Sequence, residues 1–183
     1  MADPQPWRNP RPIPQLSEME GRIQTPNQFR LVMAWLPALC WAVVIFSLST
    51  DAFSADHTGR ILRPILFGLM PHLTEQGFDT IHFFVRKAAH FTEYFIFCLL
   101  LYRGIRGGQR GWRWSWAFTA LFIAAGYSAL DEIHQAFVAS RTASPYDSLL
   151  DSIGAAFAVV ASFLWFRLRS VQAQVLENAT DGD

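Results

Sequence analysis

The chain has 183 residues, enough for one domain, of which 51% are hydrophobic, 15% aromatic and only 16% charged, with a mean hydropathy of +0.17 and zero formal net charge. An ordinary soluble domain carries about 25% charged residues, so this deficit, together with 7 Trp and 16 Phe, fits a membrane protein. Neutrality excludes a global basic field, and no nucleic-acid partner is expected.

Residues 1–28 hold six prolines (Pro4, Pro6, Pro10, Pro12, Pro14, Pro26) with Arg8, Arg11 and Arg22 and no hydrophobic periodicity. They read as a disordered cationic tail. No apolar segment opens the chain, so no secretory signal is expected. Residues 31–49 form the first spanning candidate, at the roughly 20 residues that a bilayer crossing needs, with Pro37 tolerable near its start. Over 59–69, Ile61, Leu62, Ile65, Leu66 and Leu69 fall at helical spacing with Arg60 and Arg63 off the stripe. That stretch is too short to span and reads as a helix lying in the membrane interface, although Pro64 argues against it.

The second candidate span is 79–102 and the third 114–130, followed by a polar connection over 131–146 and a fourth span at 149–166. Spans three and four are rich in Ala and Gly, which permit close helix contact. The domain so defined covers 29–169, with a polar tail over 170–183. Cys40 and Cys98 lie inside apolar runs and read as small buried hydrophobes. The fold class expected is all-α: a four-helix transmembrane bundle with a short interfacial helix between spans one and two.

Clustered arginines in the N-terminal tail, the 103–113 loop and at Arg167 and Arg169 place those three segments together in the cytoplasm, with both termini inside. The unusual polar residues then share the other face. Lys87, His90 and Tyr94 lie at i, i+3 and i+7 at the start of span two, with Glu93 one step round. Asp131 and Gln135 share a helix face if the third helix continues past Leu130, with Glu132 beside them. Asp147 and Asp151 are i and i+4 at the start of span four, after Arg141. Ionisable groups at such depth are costly and mark functional sites. One convergent extracytoplasmic pocket is expected, with His90, Glu93 and Asp131 as catalytic candidates and Lys87, Tyr94, Glu132, Gln135, Arg141, Asp147 and Asp151 as ligand-binding ones.

Three cations (Arg86, Lys87, Arg141) face five carboxylates (Glu93, Asp131, Glu132, Asp147, Asp151). The surplus requires a cation, a metal or retained protons. Neither metal nor cofactor can be assigned from the pattern. Conversely, Lys87, His90 and Arg141 together could hold a phosphate or carboxylate. Plainer roles stand beside these: His90 as an interhelical hydrogen bonder, Glu93 as a clamp to Lys87 or Arg141, Asp131 and Glu132 as a solvated loop edge, His134 facing solvent, Ser144 as a helix cap, and Trp112, Trp114 and Trp116 as an interfacial belt. No P-loop, Gly-x-Ser-x-Gly or His-Glu-x-x-His pattern occurs.

Lys-x-x-His-Phe-x-Glu-Tyr at 87–94, Asp-Glu-x-His-Gln at 131–135, Arg141 and Asp-x-x-x-Asp-x-x-Gly at 147–154 together resemble the signature of VanZ-like membrane proteins. The Ser-Leu-Ser-Thr run at 47–50 is similar to the end of that family's first helix, and the likeness covers residues 35–166. Position 151 departs from it, with Asp where Asn is expected. The resemblance implies a small bacterial integral membrane protein whose family namesake is linked to low-level teicoplanin resistance. Three functions follow as expectations: an envelope protein recognising a polar headgroup of a lipid-linked precursor or a glycopeptide; an enzyme on a phosphorylated or acylated lipid; and, last, a proton-coupled carrier, for which no inverted repeat is seen.

Overall fold

The computed structural model describes residues 28–50, 55–138 and 143–180; the expected N-terminal tail and Arg141 lie outside them. Among the described residues there are five helices and no strand: α1 (Gln28–Leu48), α2 (Ala55–Leu69), α3 (Glu75–Arg106), α4 (Trp114–Ala136) and α5 (Pro145–Thr180).

Local chemistry sets the ends of α3. The Thr74 hydroxyl accepts the Gly77 N–H at 3.1 Å, and Glu75 lies in the first turn where the helix dipole favours an anion. At the other end Gly107 closes the helix in the left-handed conformation (φ 57°), beyond Arg103 and Arg106 in the last turn. The 32 residues of α3 extend about 48 Å, well past the span expected at 79–102. Likewise α4 runs on to Ala136 instead of ending at Leu130, so Asp131, Glu132 and Gln135 are helical and not part of a polar connection. Helix α5 starts at Pro145, and the polar tail is helical as far as Thr180. Apolar patterning stops before backbone hydrogen bonding does, because Glu, Gln and Ala are good helix formers without being greasy.

Helix α3 is the hub, packing against α5, α4 and α1, with α5 also on α4; α2 rests on α3. Arg63 of α2 pairs with Glu75 and lies over the rings of Phe67 and Phe78 at 5.5 and 5.4 Å. Two indole and phenol groups tie α1 in: Trp41 Nε1 donates to the Glu93 carbonyl at 2.9 Å, and Tyr127 Oη to the Ala42 carbonyl at 2.8 Å.

Helices α4 and α5 turn small side chains inward, against Tyr94, Phe97 and Leu101 of α3, and large ones outward. Ala117, Ala120 and Ala124 of α4, with Ala155 and Ala158 of α5, are fully buried, while Phe118, Phe122, Phe157, Val160 and Leu164 are exposed. Of the small residues expected at helix contacts, Gly126 instead faces away, with nothing near the position a Cβ would take. Cys98 is buried, but Cys40 is exposed on the outer face of α1, contrary to its expected burial. α1 and the Pro145–Val175 part of α5 are long and apolar enough to cross a bilayer. α3 and α4 do not reach that standard, because charged and hydroxyl-bearing residues interrupt them.

Among the described glycines the closest neighbour is met at Gly154, where a Cβ would lie 2.4 Å from the Phe91 carbonyl oxygen. Since backbone cannot yield as a side chain can, Gly154→Ala is expected to cost about 2 kcal/mol or more. Gly126→Ala should change stability by no more than about 1 kcal/mol. Denaturant unfolding of the two variants in mild detergent checks both values.

Candidate functional site

The α3–α5 contact carries three steps in register. Lys87 Nζ pairs with Asp147 Oδ1 in the first turn of α5. One turn on, His90 Nδ1 stands 3.4 Å from Asp151 Oδ1, within ion-pair reach but without hydrogen-bond alignment. Phe91, the next residue of α3, comes into backbone contact with Gly154, one turn further along α5. A spacing of three residues from Lys87 to His90 on α3 and of four from Asp147 to Asp151 on α5 produces the match of the two polar pairs.

Helix α4 supplies the third wall. Ser128 Oγ lies 2.9 Å from Asp151 Oδ2 and 3.0 Å from Ser148 Oγ, and its single proton can serve one acceptor at a time. Asp131 Oδ2 accepts from Ser49 Oγ at 2.8 Å and from Gln135 Nε2 at 3.0 Å. Glu132 Oε2 accepts the Ser144 backbone N–H at 2.8 Å, while its Oε1 has no partner among the described residues. Asp151 is 0% exposed and Asp131 7%. Such carboxylates persist in an interior only where donors surround them, so Asp131 and Glu132 are buried site groups and not a solvated edge. Tyr94 is also fully buried, its hydroxyl without a partner among the described residues and its ring 6.3 Å from that of Phe97.

A cavity of about 210 Å³ opens beside this network, lined by Leu48, Ser49, Thr58, Val85, Arg86, Ala89, His90 and Glu93. His90 and Ser49 therefore have one side on the cavity and the other on buried carboxylates, Asp151 and Asp131. Small-molecule sites run to about 300–1,000 Å³. This one lies below that range and is far too small to enclose a glycopeptide.

Of the ten residues expected at a site, Lys87, His90, Asp147 and Asp151 meet directly; Asp131 and Gln135 form an adjoining pair; Glu132 is bound to the loop before α5. Glu93 lines the cavity. Tyr94 is embedded in the core, and Arg141 lies outside the described residues. The excess of carboxylates is met in part by hydroxyl, amide and backbone donors, a supply that counting formal charges overlooks. Among the described residues no group of three or more His, Cys, Asp or Glu side chains could hold a metal.

Sequence reading missed Ser128 and Ser148; each lies three residues before an aspartate, a spacing that puts it on the same helix face. His134 is half-buried with its ring 4.8 Å from that of Phe46, not turned to solvent. The Ser144 amide serves Glu132, while its carbonyl accepts the Asp147 N–H at 2.8 Å.

Helices with apolar exteriors around a buried polar cluster define a class: helical membrane proteins with an internal polar site. The sequence profile of VanZ/LLP1 matches residues 34–167, and the chain belongs to that family. No curated protein and no solved structure shows a significant match.

If Lys87 serves chiefly to neutralise Asp147, Lys87→Met should cost about 1–3 kcal/mol, reduced from a fully buried pair because the lysine side chain is 28% exposed. Adding Asp147→Leu should recover at least half of that loss. A double-mutant cycle by denaturant unfolding reads the result, and an additive loss would contradict the pairing.

Proposed function

We propose that the chain crosses the bacterial cytoplasmic membrane four times, through α1, α3, α4 and α5, with α2 in the interface and both termini cytoplasmic. The whole circumference supports this reading: Val43, Phe83, Phe84, Phe122, Phe157 and Leu164 point outward on all four helices, a surface suited to acyl chains and not to water. Arginines gather in the 103–113 loop and at 167–169, about 24 Å along the α3 axis from His90 if Arg106 marks that end, so the cavity belongs to the extracytoplasmic side.

In this reading the cavity receives the polar, anionic headgroup of an envelope lipid. The observation that carries it is the juxtaposition of Arg86 and His90 on the cavity wall with Ser49 and Thr58 as hydroxyl partners. Arginine and imidazole suit a phosphate, and the small volume selects a headgroup over a whole antibiotic. Any effect on teicoplanin susceptibility would then be indirect, through the lipids that carry the drug's target.

A second reading has an observation of its own. Asp151 stands behind His90 on the side away from the cavity, the placement by which a carboxylate orients an imidazole and supports its positive charge while it exchanges a proton with a bound group. That would make the protein an enzyme on a phosphorylated or acylated headgroup, with His90 as acid or base and Arg86 as anion stabiliser.

Three outcomes test these readings. A single cysteine at Thr58 should react with an impermeant thiol reagent from outside intact cells while one at Gly108 does not; the reverse pattern would overturn the orientation. Deletion of the gene should change the level of one class of anionic headgroup in untargeted lipidomics. Arg86→Gln should restore the deletion pattern at wild-type membrane abundance, with binding about tenfold weaker. The enzyme reading further requires Asp151→Asn to lower turnover by roughly 10²-fold with headgroup binding retained.

A further inference from the structure

At the opposite end of α3 a second polar problem is buried. Tyr102, Arg106, Trp112 and Phe166 form one cluster: the Tyr102 and Trp112 rings are 5.0 Å apart, Phe166 lies 6.2 and 5.8 Å from them, and the Arg106 guanidinium sits 5.2 Å over Phe166. Three donors in it are shut off from solvent and have no acceptor among the described residues: Arg106 Nε, Trp112 Nε1 and the Tyr102 hydroxyl. Tyr102 is only 6% exposed.

Charge points the same way. Segments 28–50, 94–130 and 152–176 supply this end with Arg30, the four arginines of 103–113, Arg167 and Arg169, and contain no Asp or Glu. Arg103 spends one nitrogen on the Ala34 carbonyl at 3.2 Å, and Arg113 and Arg167 lie over the rings of Trp116 and Phe163. Cation–π contact leaves guanidinium charge uncompensated. Buried donors without acceptors are rare in folded proteins. A water can accept two hydrogen bonds and brings no charge, whereas a phosphate has several acceptor oxygens and a negative charge.

We propose that the Tyr102–Arg106–Trp112 corner is a binding site for the phosphate of an anionic phospholipid, distinct from the cavity at His90. Trp112 and Phe166 flank the acyl side of the headgroup, Arg106 and the Trp112 indole N–H bind its oxygens, and the neighbouring arginines hold its net charge. The aromatic residues at this end thus act as walls of a lipid site beyond forming an interfacial belt. Small shifts of Trp112, which lies on the loop side of the cluster, admit the headgroup.

The test uses the full chain in lipid nanodiscs of phosphatidylcholine, with or without phosphatidylglycerol, and native mass spectrometry to count the lipid that stays bound. Phosphatidylglycerol should be retained in preference to phosphatidylcholine. Arg106→Gln and Trp112→Phe should each lower that retention roughly tenfold. Arg60→Gln removes the same charge from an exposed residue of α2, whose neighbour Gly59 lies against His82 at the other end of α3, and should change it less than about twofold. Melting in phosphatidylcholine alone shows which variants are folded, and Trp112→Phe keeps the ring if Arg106→Gln fails. Equal retention of both lipids, an equal drop in Arg60→Gln, or protection by inorganic phosphate as strong as by phosphatidylglycerol would overturn the proposal.

Discussion

The register between α3 and α5 is the constraint from which the rest of the arrangement follows. Lys87 against Asp147, His90 against Asp151 and the Phe91 carbonyl against Gly154 lie along one interface, within about one turn of α3 and two turns of α5. A slide of either helix by a single turn would strand two acidic groups in an apolar interior and drive a side chain into backbone. Electrostatics and steric fit thus select the same alignment. A small residue at 154 is what lets the helices come near enough for the short aspartate side chains to be reached from α3.

Around that interface the bundle is organised inside out relative to a water-soluble one. Alanines and a glycine line the inner faces of α4 and α5 around a few large residues such as Tyr94 and Phe97, and phenylalanine, leucine and valine occupy the circumference. In water such a surface would aggregate; in hydrocarbon it carries no cost, and helix association has to come from close packing and interhelical hydrogen bonds. The buried hydroxyls are part of that association. Ser49 and Ser128 lie at helix contacts, where each satisfies a carboxylate that no lysine or arginine among the described residues reaches.

The two ends of the bundle have opposite chemistry. Toward His90 the protein concentrates its acids, neutralises them from within and leaves a small cavity at the edge. Toward Arg106 it concentrates bases, covers them with aromatic rings and leaves buried donors without acceptors. A polar headgroup at the outer leaflet is the proposed partner of the first end, and an anionic lipid at the inner leaflet is the proposed partner of the second. α3 runs through both, which explains why it carries polar residues at each end and an apolar middle, Phe95 to Leu101.

The linear pattern was sufficient for the helical class, for four of the five helices as apolar segments, and for the family, because helical periodicity and motif spacing are properties of neighbours in the chain. It was also sufficient to single out Lys87, His90, Asp147 and Asp151, since charged residues at apolar helix ends stand out without any structure. Only the tertiary fold decided their partners: that Lys87 meets Asp147 while His90 meets Asp151, that Asp131 is held by Ser49 from the other side of the bundle, and that Tyr94 is sealed in the core. It also decided that Gly126 faces outward while Gly154 fills the tightest contact. The reason is physical: a helix presents its faces according to local geometry, but which face meets which depends on rotation and shift between helices, set by packing across residues 60 to 82 positions apart, and no local pattern encodes that rotation and shift.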